Sequence, residues 1–234
     1  MKPIPPRIRQ LRALQSHTAG IRHLSFDLWR TLIRSGPSYK QRRSRLLRDH
    51  FGLTQPLEAV QKAVRRWDLA SDTLNEMTGL NIDAIEIYGL VLLDLGVKPH
   101  SVTSEDFSTF YQKTEELFLT CLPVLIEPDA IDELVGLRQR GFSLSLLSNT
   151  GFIRGPTVRA ALSQLGFGTV FDAQLYSDEL RASKPAKPAF DAVWIEAQRH
   201  GCSERNEVLH IGDNRLADVR GSRNYGFRAA WYSP

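Results

Sequence analysis

The stretch HLSFDLWRTLIRS, residues 23 to 35, begins as an apolar run, and a single acidic residue, Asp27, stands where the predicted strand would end. Trp29 follows two residues later. In α/β proteins, ligands bind at the carboxyl ends of the sheet strands. The stretch therefore predicts the first strand of an α/β domain, with Asp27 as a candidate site residue.

Four more apolar runs have the length of strands, and helical stretches alternate with them. A strand, a helix and another strand, repeated in this order, predict right-handed crossovers and a parallel sheet covered by helices on both faces. The expected fold class is therefore α/β. The five predicted strands span residues 21–27, 142–149, 170–177, 208–213 and 228–232.

Residues 35–122 interrupt this alternation, because helical periodicity runs through the whole interval without a convincing strand. An all-helical block directly after the first strand predicts an inserted lid domain. The expected domains are a basic N-terminal arm at 1–20, a core domain of 21–34 and 123–234, and a helical cap domain at 35–122.

The composition is that of an ordinary globular protein, with 42% hydrophobic and 24% charged residues among 234. The chain has no apolar run that could span a bilayer, and its start lacks the apolar segment of a secretory signal. We therefore expect a cytoplasmic protein without a membrane partner. Two cysteines, Cys121 and Cys202, are too few and too distant in sequence to indicate a disulfide framework or a zinc site.

The net charge of +4 conceals an uneven distribution, because residues 1–50 hold 12 Lys and Arg residues against 2 Asp and Glu residues. Scattered arginines more often form a solvated face than a polyanion site, so nucleic-acid binding is not expected and the arm is assigned no chemistry. Most cations of the first predicted cap helix are likewise expected to face solvent, although some would suit an anionic substrate. They are Lys40, Arg42, Arg43, Arg45 and Arg48.

Polar residues follow the predicted strands in a particular order along the chain. In that order they are Asp27; Ser148 and Asn149; Lys184; and Asp213 with Asp218. This set resembles the four motifs of the haloacid dehalogenase (HAD) superfamily, whose members include phosphatases and dehalogenases. The resemblance covers residues 21–234, and the inserted helices match the C1-type cap of that family. It implies a Rossmann-like parallel sheet and a hydrolase.

The resemblance also implies roles for these residues. Asp27 would attack phosphorus in line and form an aspartyl-phosphate, which divides a difficult hydrolysis into two easier steps. Ser148 would bind the phosphoryl oxygens, supported by Asn149, and Lys184 would neutralise the phosphate and the attacking carboxylate. Lys187 competes for the last role, but the family's spacing from the lysine to an aromatic residue selects Lys184. The structural alternatives are turn-forming side chains and a solvated lysine.

The acidic residues imply a magnesium site. Mg²⁺ prefers hard oxygen ligands and commonly uses one or two carboxylates, substrate phosphate and waters. The family's pattern implies that Asp27, the backbone carbonyl of Trp29 and Asp213 would be ligands, with Asp218 bound directly or through water. For Asp218 the alternative is a charge that complements a helix N-terminus.

Trp29 occupies the position where phosphatases of this superfamily carry a second Asp, which protonates the leaving oxygen and then activates water. An indole N–H donates a hydrogen bond but does not exchange a proton at neutral pH. The alternative for Trp29 is simple packing under the cap.

The principal expectation is a magnesium-dependent phosphohydrolase that acts on a small phosphorylated substrate. Such an enzyme would manage without the second Asp because its substrate has a good leaving group or because the cap provides an acid. A catalytically impaired phosphate- and metal-binding protein stays open, as does a dehalogenase-type enzyme, which would need neither the second Asp nor magnesium.

Overall fold

A six-stranded sheet forms the centre of the molecule, which we describe from a computed structural model for residues 6 to 233. The strands of the described residues are β1 (Arg7–Ile8), β2 (His23–Phe26), β3 (Ile33–Arg34), β4 (Val124–Leu125), β5 (Ser143–Ser148), β6 (Ala173–Tyr176), β7 (Val208–Gly212) and β8 (Arg228–Tyr232). The central sheet has the order β1-β8-β7-β2-β5-β6, and all its pairs are parallel. The α/β fold class and the five predicted strands are confirmed.

The central position of β2 explains why the strand ends meet at one place. All four residues of β2 are buried, and β2 pairs with β5 on one side and β7 on the other. Phe26, the last residue of β2, lies opposite Leu146 and Ile211 of these neighbours. Because parallel strands end at the same edge of a sheet, the residues that follow these three strands come together there.

Four helices lie between β3 and β4 in the chain, in the segment called the cap below, and they enclose a cluster of buried apolar side chains to which Phe152 also contributes. The chain leaves and re-enters the core through β3 and β4, which pair antiparallel. The predicted all-helical content of this interval is confirmed, and we propose that the domain boundaries lie at this ribbon, near residues 34 and 123. The cap helices are α1 (Tyr39–His50), α2 (Leu57–Thr78), α3 (Ala84–Asp94) and α4 (Ser104–Thr120).

The remaining helices cover the central sheet. Their order between the strands matches the predicted alternation. None of the helices in residues 6 to 233 is long and apolar enough to cross a membrane. The core helices are α5 (Ala130–Gln139), α6 (Gly155–Gln164), α7 (Ser177–Leu180), α8 (Lys187–Arg199) and α9 (Gly221–Tyr225), and a π-helical turn, Arg215–Arg220, precedes α9.

The N-terminal segment differs from the arm expected over residues 1–20. In its described part, β1 pairs in parallel with β8 and extends the sheet by one edge strand. Ile8, Leu11 and Leu14 are buried in the main core cluster. A two-residue strand is too short to show periodicity in sequence, so the apolar contacts that attach this segment were not visible there. Residues 1–5 of the predicted arm lie outside the described residues.

Candidate active site

Asp27 follows β2 directly, and its side chain lies at the wall of the cleft between core and cap. Its backbone N–H donates a hydrogen bond to the Ile211 carbonyl at 2.8 Å, which extends the pairing with β7 past Phe26. The Thr31 hydroxyl donates to Asp27 Oδ2 at 2.9 Å. The residue is buried, with 7% exposure, and the hydrogen bond from Thr31 restricts the orientation of its carboxylate. Sequence reasoning missed Thr31; a hydroxyl four residues after the acid was the available signal.

Lys184 is buried beside Asp27, and its ammonium group has three acceptors. Nζ donates to Asp27 Oδ1 at 2.8 Å and to the Leu147 carbonyl at 2.7 Å. It also lies 2.7 Å from Asp218 Oδ1. An ammonium group has three donors and no acceptor, so these contacts satisfy it completely. Lys184 therefore joins the carboxylates that follow β2 and β7.

Asn149 holds the loop that carries Lys184. Its side-chain oxygen accepts from the Lys184 backbone N–H at 2.8 Å, and its amide donates to the Lys184 carbonyl at 3.0 Å. The competing Lys187 instead forms an exposed ion pair with Asp191 at 2.8 Å. The structure thus brings Lys184, and not Lys187, to Asp27.

Ser148 ends β5 and is buried, with 1% exposure. Its hydroxyl donates to the Asn149 carbonyl at 3.3 Å. Among the described residues, Asn149 lines the cleft and Ser148 does not. The structure therefore places Ser148 next to the site, beneath its wall.

Asp218 lies in the π-helical turn, and its carboxylate is fully engaged. Oδ2 accepts from the Asn214 backbone N–H at 2.9 Å, while Oδ1 contacts Lys184 and lies 3.3 Å from His210 Nε2. A Cβ atom on Gly212 would collide with this carboxylate, so only glycine permits the close approach of the strand end to Asp218. Sequence reasoning missed His210, whose position inside β7 resembles an ordinary core residue.

Asp213 follows β7 and faces the cleft opposite Asp27. Its backbone N–H donates to the Thr31 hydroxyl at 3.2 Å, so the same threonine contacts both strand ends. The Trp231 indole donates to the Asp213 carbonyl at 3.0 Å. Its carboxylate lies 3.3 Å from Nε of Arg30, a side chain that is 83% exposed. Solvent weakens this ion pair, so Asp213 has no strong cationic partner among the described residues.

The carboxylates of Asp27, Asp213 and Asp218 form a cluster, each offering one oxygen within 4.8 Å of the others. Burial and the charges of Asp27 and Asp218 raise the pKa of Asp213 to about 7. Burial also raises the pKa of Asp27, although Lys184 opposes the shift. Burial alone would raise the pKa of Asp218, but Lys184 and His210 lower it. When all three are ionised, these carboxylates carry more negative charge than Lys184 neutralises, and the raised pKa of Asp213 reflects that excess.

These residues fit a hard divalent cation. Asp27 and Asp213 follow adjacent strands and both line the cleft, and the Trp29 carbonyl belongs to the turn that begins at Asp27. A cation there would neutralise the repulsion that raises the pKa of Asp213. Asp218 differs from the other two, because its oxygens already accept from Lys184 and Asn214. This arrangement favours contact of Asp218 with a cation through water.

The Trp29 side chain lies between the core and the cap. It is partly buried and packs against the main core cluster. Its ring centroid is 6.3 Å from that of Phe118 on α4, and Phe118 is 5.2 Å from Tyr39 on α1. The indole thus takes part in an aromatic contact that joins the two domains, as the packing alternative expects.

The cleft has a volume of about 740 Å³ and is lined by both domains. Cap helix α2 contributes three acidic residues at intervals of four, Asp68, Asp72 and Glu76. Glu76 accepts a hydrogen bond from the Asn214 side chain. Desolvation and the charges of Asp68 and Glu76 raise the pKa of Asp72, although the residue as a whole is exposed. Sequence reasoning missed this row, which the i, i+4, i+8 spacing would have shown.

Comparison with known structures identifies the fold. The chain resembles a magnesium-bound structure of YfnB from Bacillus subtilis, a protein assigned to the HAD hydrolases. The TM-score is 0.69 at 21% sequence identity, and the match covers 90% of this chain and 88% of YfnB. The HAD phosphatase from Thermococcus onnurineus gives a TM-score of 0.60 at 20% identity, with coverage of 91% and 86%. The fold is the HAD hydrolase fold. L-2-haloacid dehalogenase from Xanthobacter autotrophicus shares the HAD fold, with a TM-score of 0.59, 21% identity, and coverage of 90% and 77%.

A sequence relative matches only part of the HAD-fold chain. The pyrimidine 5′-nucleotidase PynA of Streptococcus pneumoniae is 31% identical over 108 residues, which are 45% of this chain and 41% of that protein. The match therefore spans less than half the length of the relative. No family model matches the chain.

Proposed function

We propose that the protein is a magnesium-dependent phosphohydrolase that acts on a small phosphorylated substrate, with Asp27 as the nucleophile. The observation that carries the proposal is the convergence of Asp27, Lys184 and Asp213 at the floor of a cleft of substrate size. The similarity to a HAD phosphatase and to a nucleotidase supports phosphate as the group transferred.

In the proposed first step, a carboxylate oxygen of Asp27 attacks phosphorus, the bond to the leaving oxygen breaks, and an aspartyl-phosphate forms. Lys184, held 2.8 Å from Asp27, balances negative charge as the phosphoryl group approaches. In the second step, water attacks the phosphorus, its proton passes to the acid that was deprotonated in the first step, and the bond from phosphorus to Asp27 breaks to release inorganic phosphate and the free carboxylate. Magnesium, held by Asp27, Asp213 and the Trp29 carbonyl, would supply positive charge for the phosphoryl oxygens.

Ser148 and Asn149 have supporting parts in this proposal. Asn149 stands at the cleft wall and holds the Lys184 loop through two hydrogen bonds. For Ser148 to bind the phosphoryl oxygens, its hydroxyl would have to turn away from the Asn149 carbonyl, to which it donates at 3.3 Å. A long bond of this kind is weak enough for such rotation.

The proton for the leaving oxygen requires a source, because Trp29 cannot provide one. Asp72 of the cap lines the same cleft and forms no hydrogen bond or ion pair with any described residue. Its raised pKa keeps it protonated at higher pH than an ordinary aspartate. We therefore propose that Asp72 replaces the missing acid, unless the substrate has a leaving group that needs no proton.

The test is turnover of p-nitrophenyl phosphate with and without Mg²⁺, together with halide release from 2-chloropropionate. We expect phosphate release that depends on Mg²⁺ and no halide release. Halide release without Mg²⁺ would establish a dehalogenase, which the shared fold and the aromatic residue at position 29 also suit. Binding of Mg²⁺ and phosphate without any turnover would establish the catalytically impaired binding protein.

A further inference from the structure

Arg43 of α1 is a buried cation that forms no direct ion pair with a described carboxylate. It lines the cleft, yet only 6% of its surface is exposed. Its Nε is buried and forms no hydrogen bond of acceptable geometry with the described residues. None of the ion pairs among those residues includes Arg43.

The surroundings of Arg43 hold it by packing. Its guanidinium carbon lies 4.2 Å from the ring centroid of Phe152 and 5.5 Å from that of Tyr39. Asp68 is the acid whose charge reaches Arg43, but it is hydrogen-bonded to Arg65 at 3.3 Å. Aromatic faces attract a guanidinium but do not neutralise it.

A second unsatisfied polar group lies on the same wall. The Tyr39 hydroxyl is buried and lies close to the Arg43 guanidinium, but it forms no hydrogen bond of acceptable geometry with the described residues, and Tyr39 also lines the cleft. Native proteins seldom leave buried polar groups unpaired, and an unpaired buried charge is more costly than an unpaired neutral group. Two such groups together, at the wall of a cavity of about 740 Å³, indicate a place where a ligand supplies the missing acceptors.

We propose that Arg43 and the Tyr39 hydroxyl bind a second anionic group of the substrate, a carboxylate or a second phosphate. This inference rests on the proposed phosphohydrolase function, in which the first phosphate lies at Asp27. A neutral substituent would accept the hydrogen bonds but leave the buried charge uncompensated, so the geometry favours an anion. Four further cations, Arg30, Arg34, Lys40 and Arg65, line the cleft and would attract such a substrate.

The test compares three phosphate esters that differ at the end remote from the phosphate: glycerol 3-phosphate, 3-phosphoglycerate and glycerol 1,3-bisphosphate. The second and third carry a carboxylate and a second phosphate, so they separate the two anion sources. The measured quantity is the ratio of kcat/KM for each anionic probe to that for glycerol 3-phosphate. We expect a ratio well above one in the wild type and a decrease of about 10- to 100-fold in Arg43→Met, as for loss of a charge-assisted hydrogen bond.

Arg45→Met is the matched control, because Arg45 lies on the same helix, is exposed and does not line the cleft. It should leave the ratio unchanged. Arg43→Met should melt at the same or a higher temperature without ligand, whereas a merely structural arginine would lower the melting temperature. If Arg43→Met fails to fold, Arg43→Lys decides the question, since it retains the charge but loses the planar fork and should lower the ratio several-fold.

Binding measured by calorimetry in Asp27→Asn separates failure of this inference from failure of the proposed function. The anion site is supported if Asp27→Asn binds an anionic probe more tightly than glycerol 3-phosphate and if this difference in affinity is lost in Asp27→Asn/Arg43→Met. That result would support the site even if the wild type hydrolyses none of the probes. A different outcome would overturn the anion site and leave the phosphohydrolase in place. In that outcome the enzyme hydrolyses p-nitrophenyl phosphate, but kcat/KM is equal for all three probes in the wild type and in Arg43→Met.

Discussion

Lys184 and Arg43 are two buried cations that line the same cleft, one in the core and one in the cap, and they differ in how the protein pairs them. Lys184 has three acceptors, including the carboxylates of Asp27 and Asp218. Arg43 has aromatic neighbours and an unpartnered Nε. A charge that the protein itself neutralises organises the site before any ligand arrives, whereas a charge left unpaired requires a ligand.

The largest effect on activity is expected when Asp27, one of the three acceptors of Lys184, is replaced. Asp27→Asn should reduce turnover to the level of buffer, because it removes the nucleophile. The melting temperature should stay the same or rise, because the substitution removes repulsion with Asp213 and Asp218 while Lys184 keeps Asp218. Phosphate release and thermal unfolding measure the two effects. Retained turnover in this variant would exclude the covalent mechanism.

Removal of the paired cation should be the most destabilising change. Lys184→Met leaves Asp27 and Asp218 buried without their partner, which costs about 3–5 kcal/mol of unfolding free energy. The exposed Lys187→Met is the control and should change stability by less than about 0.5 kcal/mol. Urea unfolding of both variants and of Arg43→Met measures the contrast. Equal decreases in the free energy of unfolding for Lys184→Met and Arg43→Met would show that the two cations do not differ in pairing.

Trp29→Asp introduces an acid two residues after Asp27, in the same cleft as the paired cation. If only proton transfer limits the proposed phosphohydrolase, turnover should rise by up to about 10²-fold, and most for poor leaving groups. Loss of a buried Trp costs about 3–5 kcal/mol, but Trp29 is only partly buried, so a smaller loss is expected. Rates across leaving groups of graded pKa, with melting temperatures, provide the measurement. A folded variant without any gain would favour the impaired binding protein.

The smallest effect expected is the pH dependence of magnesium binding. The pKa of Asp213 is raised from 3.8 to about 7, so between these values the folded protein retains a proton that the unfolded chain releases. Its contribution to stability therefore falls as pH rises through that range. Mg²⁺ requires the ionised form, so it should raise the melting temperature by several degrees at pH 8 and hardly at pH 5.

Asp213→Asn is the control for this pH dependence. It should remove most of the magnesium effect at pH 8 while leaving the protein folded. Equal stabilisation by Mg²⁺ in the wild type and in Asp213→Asn would show that the cation binds elsewhere.

Local patterns in the sequence were sufficient for the parallel sheet and the helical insertion, because burial of a strand or a helix face imposes its periodicity on consecutive residues. The positions of Asp27, Lys184, Asp213 and Asp218 relative to those strands also predicted that they would lie at one edge of the sheet, since parallel strands end together. The edge strand β1 escaped prediction, because two residues show no period and its pairing with β8 spans the length of the chain.

Tertiary structure decided which charged residues are paired. The sequence shows five cations in the region of α1, and their pattern favoured solvent for most of them. The packing of α1 against the segment that carries Phe152 helps to bury Arg43, and the return of the π-helical turn to the sheet brings Asp218 to Lys184. Burial and pairing of a charge depend on residues that are distant in sequence, and they set its free energy in the fold.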